Sequence, residues 1–146
     1  MKIKVYNIRC IFKMKSMIFA ATCFVLTFTL SGALAQNKSW VAPLSAKSIK
    51  NPFSADKSAA AQGKTLYIAN CAPCHGNGGK GDGPAAAALN PKPANHTSAA
   101  VQGETNGSLY WKLTTGHNPM PSYKTILTDK QRWALVSFIR TLATKK

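Results

Sequence analysis

The decisive stretch is Cys71-Ala72-Pro73-Cys74-His75-Gly76. Two thiols three positions apart lie on one turn of chain, with an imidazole directly after the second. That spacing lets both sulfurs add to the two vinyl groups of one haem while the ring nitrogen reaches the iron from the same side. Other uses of the pair fit less well. A thioredoxin-like redox pair needs a βαβ scaffold with strand runs rich in Val and Ile, and nothing from residue 36 to 146 reads that way. A structural zinc needs a fourth ligand, for which only His96 and His117 remain, and adjacent Cys74 and His75 are awkward tetrahedral partners. A Cys71–Cys74 disulfide closes a loop too small to stabilise much.

Upstream, Lys2, Lys4, Arg9, Lys13 and Lys15 precede an uncharged stretch over residues 16–36. Its apolar part runs from Met17 to Leu30 and ends in Ser31-Gly32-Ala33-Leu34-Ala35. A charged n-region, an apolar h-region and an Ala-x-Ala site mark residues 1–35 as an export signal, with cleavage expected after Ala35. The alternative is an uncleaved membrane anchor, since the run is nearly long enough to span a bilayer, although Thr22, Thr27, Thr29 and Ser31 dilute it. The expected location is therefore the periplasm, with membrane attachment only if the segment is retained. Cys10 and Cys23 leave with the signal, so Cys71 and Cys74 are all the cysteines of the mature chain. Residues 36–55, with Pro43 and Pro52, read as a flexible N-terminal segment, tether or docking arm, and residues 56–146 as one domain.

The 146 residues carry 19 Lys plus Arg against 4 Asp plus Glu, a formal net charge of +15. Loss of the five basic residues of the signal leaves 14 against 4, or +10. Asp56, Asp82, Glu104 and Asp129 are scattered singly, which argues against catalysis by a converging carboxylate pair. The excess of positive charge favours acidic partners. Lys80, Lys92, Lys112 and Lys124 are candidate docking cations, and nothing in the chain resembles a nucleic-acid recognition module.

A haem held by His75 has a second axial position. Thioether sulfur is a standard partner there, and the mature chain keeps one methionine, Met120. It lies in Gly116-His117-Asn118-Pro119-Met120-Pro121, where two prolines stiffen an extended loop. His117 is the rival ligand, and an open position is the third possibility.

From Gly63 to Leu142 the chain resembles a class I c-type cytochrome of the bacterial monohaem kind. The resemblance rests on the Cys71 to Gly76 stretch, on Gly78-Gly79-Lys80-Gly81-Asp82-Gly83-Pro84, on Met120-Pro121, and on Trp133-Ala134-Leu135-Val136-Ser137-Phe138-Ile139-Arg140. It implies an all-α fold, a small cytochrome c fold with helices wrapped round one covalently attached haem c. It further implies His75 and Met120 as iron ligands, and electron transfer without substrate chemistry. It also implies that the first and last helices cross where a small residue allows close approach, which suits Gly63 and Tyr67 against Trp133 and Phe138.

Local patterns agree with such a fold. Asp56 or Ser58 can cap a helix over residues 59–70, and Pro84 can open a short Ala-rich helix through Leu89. Pro91 is the candidate to accept the second imidazole proton of His75, with Pro93 and Ala94 as alternatives, and His96 reads as a loop residue. Ser108 is expected to cap a helix over residues 109–115 that ends at Gly116. Thr128-Asp129-Lys130-Gln131 is a capping box for a last, amphipathic helix.

The expected function is one-electron transfer between respiratory or dehydrogenase partners with acidic docking surfaces. The expected protein is no enzyme, and is a monomer or a complex subunit. One alternative is a cytochrome subunit docked to a larger periplasmic oxidoreductase. The other is a haem enzyme or gas sensor with an open distal site and His96 or His117 as proton donor.

Overall fold

A computed structural model describes residues 40–143; residues 1–35, expected to be an export signal, lie outside them. In chain order the helices are α1 (Leu44–Lys47), α2 (Lys57–Asn70), α3 (Ala72–His75), α4 (Ala99–Gln102), α5 (Asn106–Thr115) and α6 (Asp129–Thr141), with a 3-10 turn at Ala86–Ala88. The fold is all-α. Among the described residues, β pairing is limited to one isolated bridge between His117 and Met120.

The two longest helices start where their caps dictate. Asp56 accepts from the Ser58 amide at 2.8 Å and opens α2. Thr128 and Gln131 bond reciprocally in a full capping box and open α6. These helices make the main packing contact of the molecule, and Gly63 sets their separation. A Cβ at Gly63 would lie 2.0 Å from the carbonyl oxygen of Ala134 and 2.9 Å from the Phe138 Cβ, so only glycine permits the crossing. Tyr67 tilts against Phe138 at 5.1 Å between ring centroids, and Tyr67, Leu135 and Val136 are fully buried around it. Trp133 faces elsewhere and stacks on Tyr110 of α5 at 4.0 Å.

Two expectations need correction. Helix α5 starts at Asn106 with Thr105 as its cap: Thr105 Oγ1 accepts from the Ser108 amide at 3.1 Å, and the Ser108 hydroxyl turns back to Thr105 at 2.9 Å. Gly107, a poor helix former, hides this earlier start. Its presence has a tertiary reason, since a Cβ there would meet the carbonyl oxygens of Ala46 at 1.9 Å and Ile49 at 2.7 Å.

Those contacts bear on the arm expected to be flexible. Over residues 40–55 the chain is packed: Ala42 and Ala46 are buried, α1 lies against α5, and buried Asn51 donates to the Ser137 hydroxyl at 2.9 Å. The physical cause is a glycine more than fifty residues away, which local composition cannot reveal.

Arg132 fastens the chain before α6. It is 4% exposed, and its Nη1 donates to the carbonyls of Tyr123 at 3.3 Å and Lys124 at 3.1 Å and to that of Leu127 at 2.5 Å. Its Nη2 donates to the Tyr110 hydroxyl at 3.0 Å and pairs with Asp129. One buried guanidinium thus ties the loop after Met120 to α6.

Candidate haem cleft

Cys71 is the C-cap of α2 and the residue before α3, so the end of the long helix delivers the motif. The His75 amide donates to the Cys71 carbonyl at 2.8 Å, which winds the two thiols and the imidazole into one turn. The glycine-rich segment then folds back over this turn. Gly81 donates to the His75 carbonyl at 2.8 Å, Gly83 to Cys74 at 3.1 Å and Ala85 to Pro73 at 2.9 Å.

The His75 ring is oriented by the backbone. Its Nδ1 lies 2.9 Å from the carbonyl oxygen of Ala94, neither Pro91 nor Pro93 being the acceptor. A neutral imidazole that donates from Nδ1 keeps its lone pair on Nε2, the tautomer an iron ligand needs. Burial lowers the His75 pKa, and the Ala94 bond opposes that shift.

His96 is a loop residue, but a half-buried one. Its ring stacks on His75 at 4.1 Å and 18°, and its Nδ1 shares a 2.9 Å hydrogen bond with the Tyr67 hydroxyl. Burial first, and nearby His75 second, push its pKa down to about 3, so it is neutral at working pH. The signal available in the sequence was only its nearness to Ala94.

Met120 is presented by a narrow turn. The His117 amide donates to the Met120 carbonyl at 2.9 Å and the Met120 amide to His117 at 2.8 Å. Two bonds fix the following residues to α5: Tyr123 donates to the Leu113 carbonyl at 2.9 Å, and the Ser122 hydroxyl to Thr114 at 2.7 Å. The Tyr123 hydroxyl also donates to the Asn70 carbonyl at 2.9 Å, beside Cys71, and so joins the Met120 loop to the motif turn. Sequence reasoning missed Tyr123, because an aromatic in a loop carries no sign of its distant acceptor.

These parts meet at one cleft, open to solvent, whose wall is mainly apolar. Cys71, Cys74, His75 and Met120 all line it, with Leu113 and Ile139. His117 lines it too, but is exposed and stacks on Trp40 at 5.2 Å. Both cysteines are free, and burial, with Cys74 nearby, raises the Cys71 thiol to about 12. Among the described residues no three His, Cys, Asp or Glu side chains converge as a metal site. Two free thiols, an imidazole with its Nε2 uncommitted to the backbone, a thioether and apolar walls suit a covalently attached haem.

Fold and cleft together define a small helical domain of the c-type haem class. Residues 60–143, more than half the chain, match the family described as Cytochrome c. The chain belongs to the cytochrome c family, whose domains carry covalent c-type haem and transfer electrons. Among solved structures it is similar to the reducing HAO-like protein complex of Kuenenia stuttgartiensis, at 32% identity and a TM-score of 0.55. That likeness covers 60% of this chain and 45% of the other, so the chain spans less than half the length of the protein it matches.

Proposed function

We propose that this protein is a periplasmic one-electron carrier that would hold one haem c through Cys71 and Cys74, with His75 and Met120 as the iron's protein ligands. The observation that carries this reading is that the motif turn and Met120 line the same apolar cleft. Haem bound there supplies a one-electron couple whose potential the thioether ligand raises. The Ala94 carbonyl holds the His75 ring so that Nε2 is the coordinating atom. The His117–Met120 pair and the ties at Ser122 and Tyr123 hold the sulfur in place. With haem filling the cleft, the apolar walls would keep water from the buried side of the group and disfavour the added charge of the oxidised state. With His75 and Met120 both given to the haem iron, a bound haem would leave no position for a small substrate, and the chain would act as a carrier.

The test is the visible spectrum of protein matured with a haem-attachment system. A low-spin spectrum with the weak red-end band of sulfur-ligated ferric haem is expected, lost in Met120→Ala and kept in His117→Ala. A high-spin spectrum that shifts at once with carbon monoxide would overturn the assignment and favour an open-site enzyme or sensor.

A second reading, a cytochrome subunit docked to a larger oxidoreductase, is favoured by one observation: the similar solved structure is a protein complex. Co-purification from the native source separates it from a free shuttle. Fractionation of the same cells tests the periplasmic location.

A further inference from the structure

The family match begins at residue 60, yet a side chain from before it reaches the cleft. Trp40 lines the cleft together with His117 and Met120. Its indole stacks on the His117 imidazole at 5.2 Å and 28°, and meets Trp111 at 6.4 Å. The Lys112 ammonium sits 5.3 Å over the same indole and is itself fixed by Glu104 at 2.6 Å. Trp40 therefore sits among an imidazole, a second indole and a paired cation, a set that holds an aromatic ring in place.

The chain behind Trp40 is also anchored. Ala42 and Ala46 are buried, the Ala46 and Ile49 carbonyls press on Gly107, and Asn51 is bonded to Ser137 of α6. Residues 40–55 thus form a strap tied down at several points, with the indole at its forward end. The imidazole it covers belongs to an exposed residue, and that residue is the backbone partner of Met120.

We propose that Trp40 is a positioning residue for Met120: the strap seats the indole on His117 and keeps the His117–Met120 turn closed at the cleft. The role in ligation rests on the His75/Met120 reading, whereas the closure of the turn does not. The strap lies outside residues 60–143, the part of the chain that matches the family.

The experiment uses haem-loaded full chain with Trp40→Ala, Trp40→Phe and Gly107→Ala. Backbone amide exchange at His117 and Met120 reports the turn, and displacement of the red-end band by added imidazole reports the sulfur. Trp40→Ala is expected to speed exchange at both amides by about tenfold, with α2 and α6 unchanged, and to speed displacement by a similar factor. Trp40→Phe, which keeps an aromatic face, is expected to restore most of the protection. Gly107→Ala, which displaces the strap at Ala46 with the indole intact, is expected to reproduce the loosening. Unchanged exchange at His117 and Met120 in folded Trp40→Ala would overturn the proposal. A uniform rise that includes α2 and α6 would overturn it too, by assigning Trp40 to global stability. A parent protein without the red-end band would count against Met120 ligation alone, because exchange reads the turn whatever the ligand.

Discussion

The carbonyl oxygen of Ala94 lies 2.9 Å from Nδ1 of His75, nineteen residues away in sequence. This bond engages Nδ1 and leaves Nε2 as the imidazole nitrogen without a backbone partner, and the placement of Ala94 depends on Gly81. Gly81 has φ +80°, and a Cβ there would come within 2.6 Å of the Pro93 carbonyl oxygen. Gly81→Ala is expected to cost about 1–3 kcal/mol through backbone strain and to push the segment carrying Ala94 out of line. The His75 Nδ1 proton, followed by NMR, should shift and exchange faster. An unmoved resonance in a destabilised protein would break the proposed link between the glycine loop and ring orientation.

Gly63→Ala tests the helix crossing. The added methyl would meet the Ala134 carbonyl oxygen at 2.0 Å, and backbone cannot turn aside as a side chain can. The expected loss is about 3 kcal/mol, the upper range for overpacking, read from urea midpoints. Gly78→Ala is the matched control, since a Cβ there meets nothing within 4 Å, and it should change stability by less than about 0.5 kcal/mol. Equal effects from the two variants would mean that the crossing tolerates a wider separation.

Local chemistry made part of this fold legible, and long-range contacts hid the rest. The capping box at Thr128 and Gln131 is a four-residue pattern, and the structure has it in full. Gly63 and Phe138 could be paired because the resemblance to cytochromes c implied a crossing near them. The Ala94 acceptor was ambiguous because every residue has a carbonyl, and sequence does not say which one faces a ring. The Thr105 cap and the packed residues 40–55 were missed for one shared reason, Gly107, which looks like a helix breaker until Ala46 lies against it. The stack of His96 on His75 left only one trace in the sequence, the nearness of His96 to Ala94.

Arg132→Met tests the clasp on the Met120 loop. It leaves the carbonyls of Tyr123, Lys124 and Leu127 without their guanidinium donor in a buried setting. The expected cost is about 3 kcal/mol, as for breaking a buried charged hydrogen-bond network. Amide exchange should rise first at residues 121–127 and less within α2. A loss spread evenly over the chain would show that Arg132 supports the core and not the loop in particular.

Asp56 gives the first long helix a pH dependence. Its pKa is lowered, first by the Ser58 side chain and then by the Ser58 backbone amide. A carboxyl with a depressed folded pKa adds stability above its unfolded pKa and loses it as pH falls through the folded value. Urea midpoints should therefore fall on acidification below the ordinary carboxylate range. Asp56→Asn keeps a capping oxygen and cannot titrate, so this component should vanish while α2 stays capped. A profile identical in parent and variant would place the acid sensitivity elsewhere.

Charge steering is tested most cleanly at two of the four lysines singled out by sequence. Lys112 is paired with Glu104 at 2.6 Å, whereas Lys92 is exposed and keeps its charge but is held in place by the Ala86 and Ala87 carbonyls at 3.2 and 2.7 Å. Lys80 and Lys124 are exposed. Reversing either exposed charge, as in Lys80→Glu or Lys124→Glu, should slow electron transfer to an acidic redox partner by roughly 2–10-fold at low salt. Lys112→Glu should act differently, placing two carboxylates together and lowering stability as well as rate. Raising ionic strength shortens the screening length from about 10 Å at 0.1 M to about 3 Å at 1 M, so parent and surface variants should converge. Stopped-flow rates across that salt series are the measurement. A parent rate indifferent to salt would remove steering by lysines from the account, leaving apolar contact at the cleft mouth to bring the partners together.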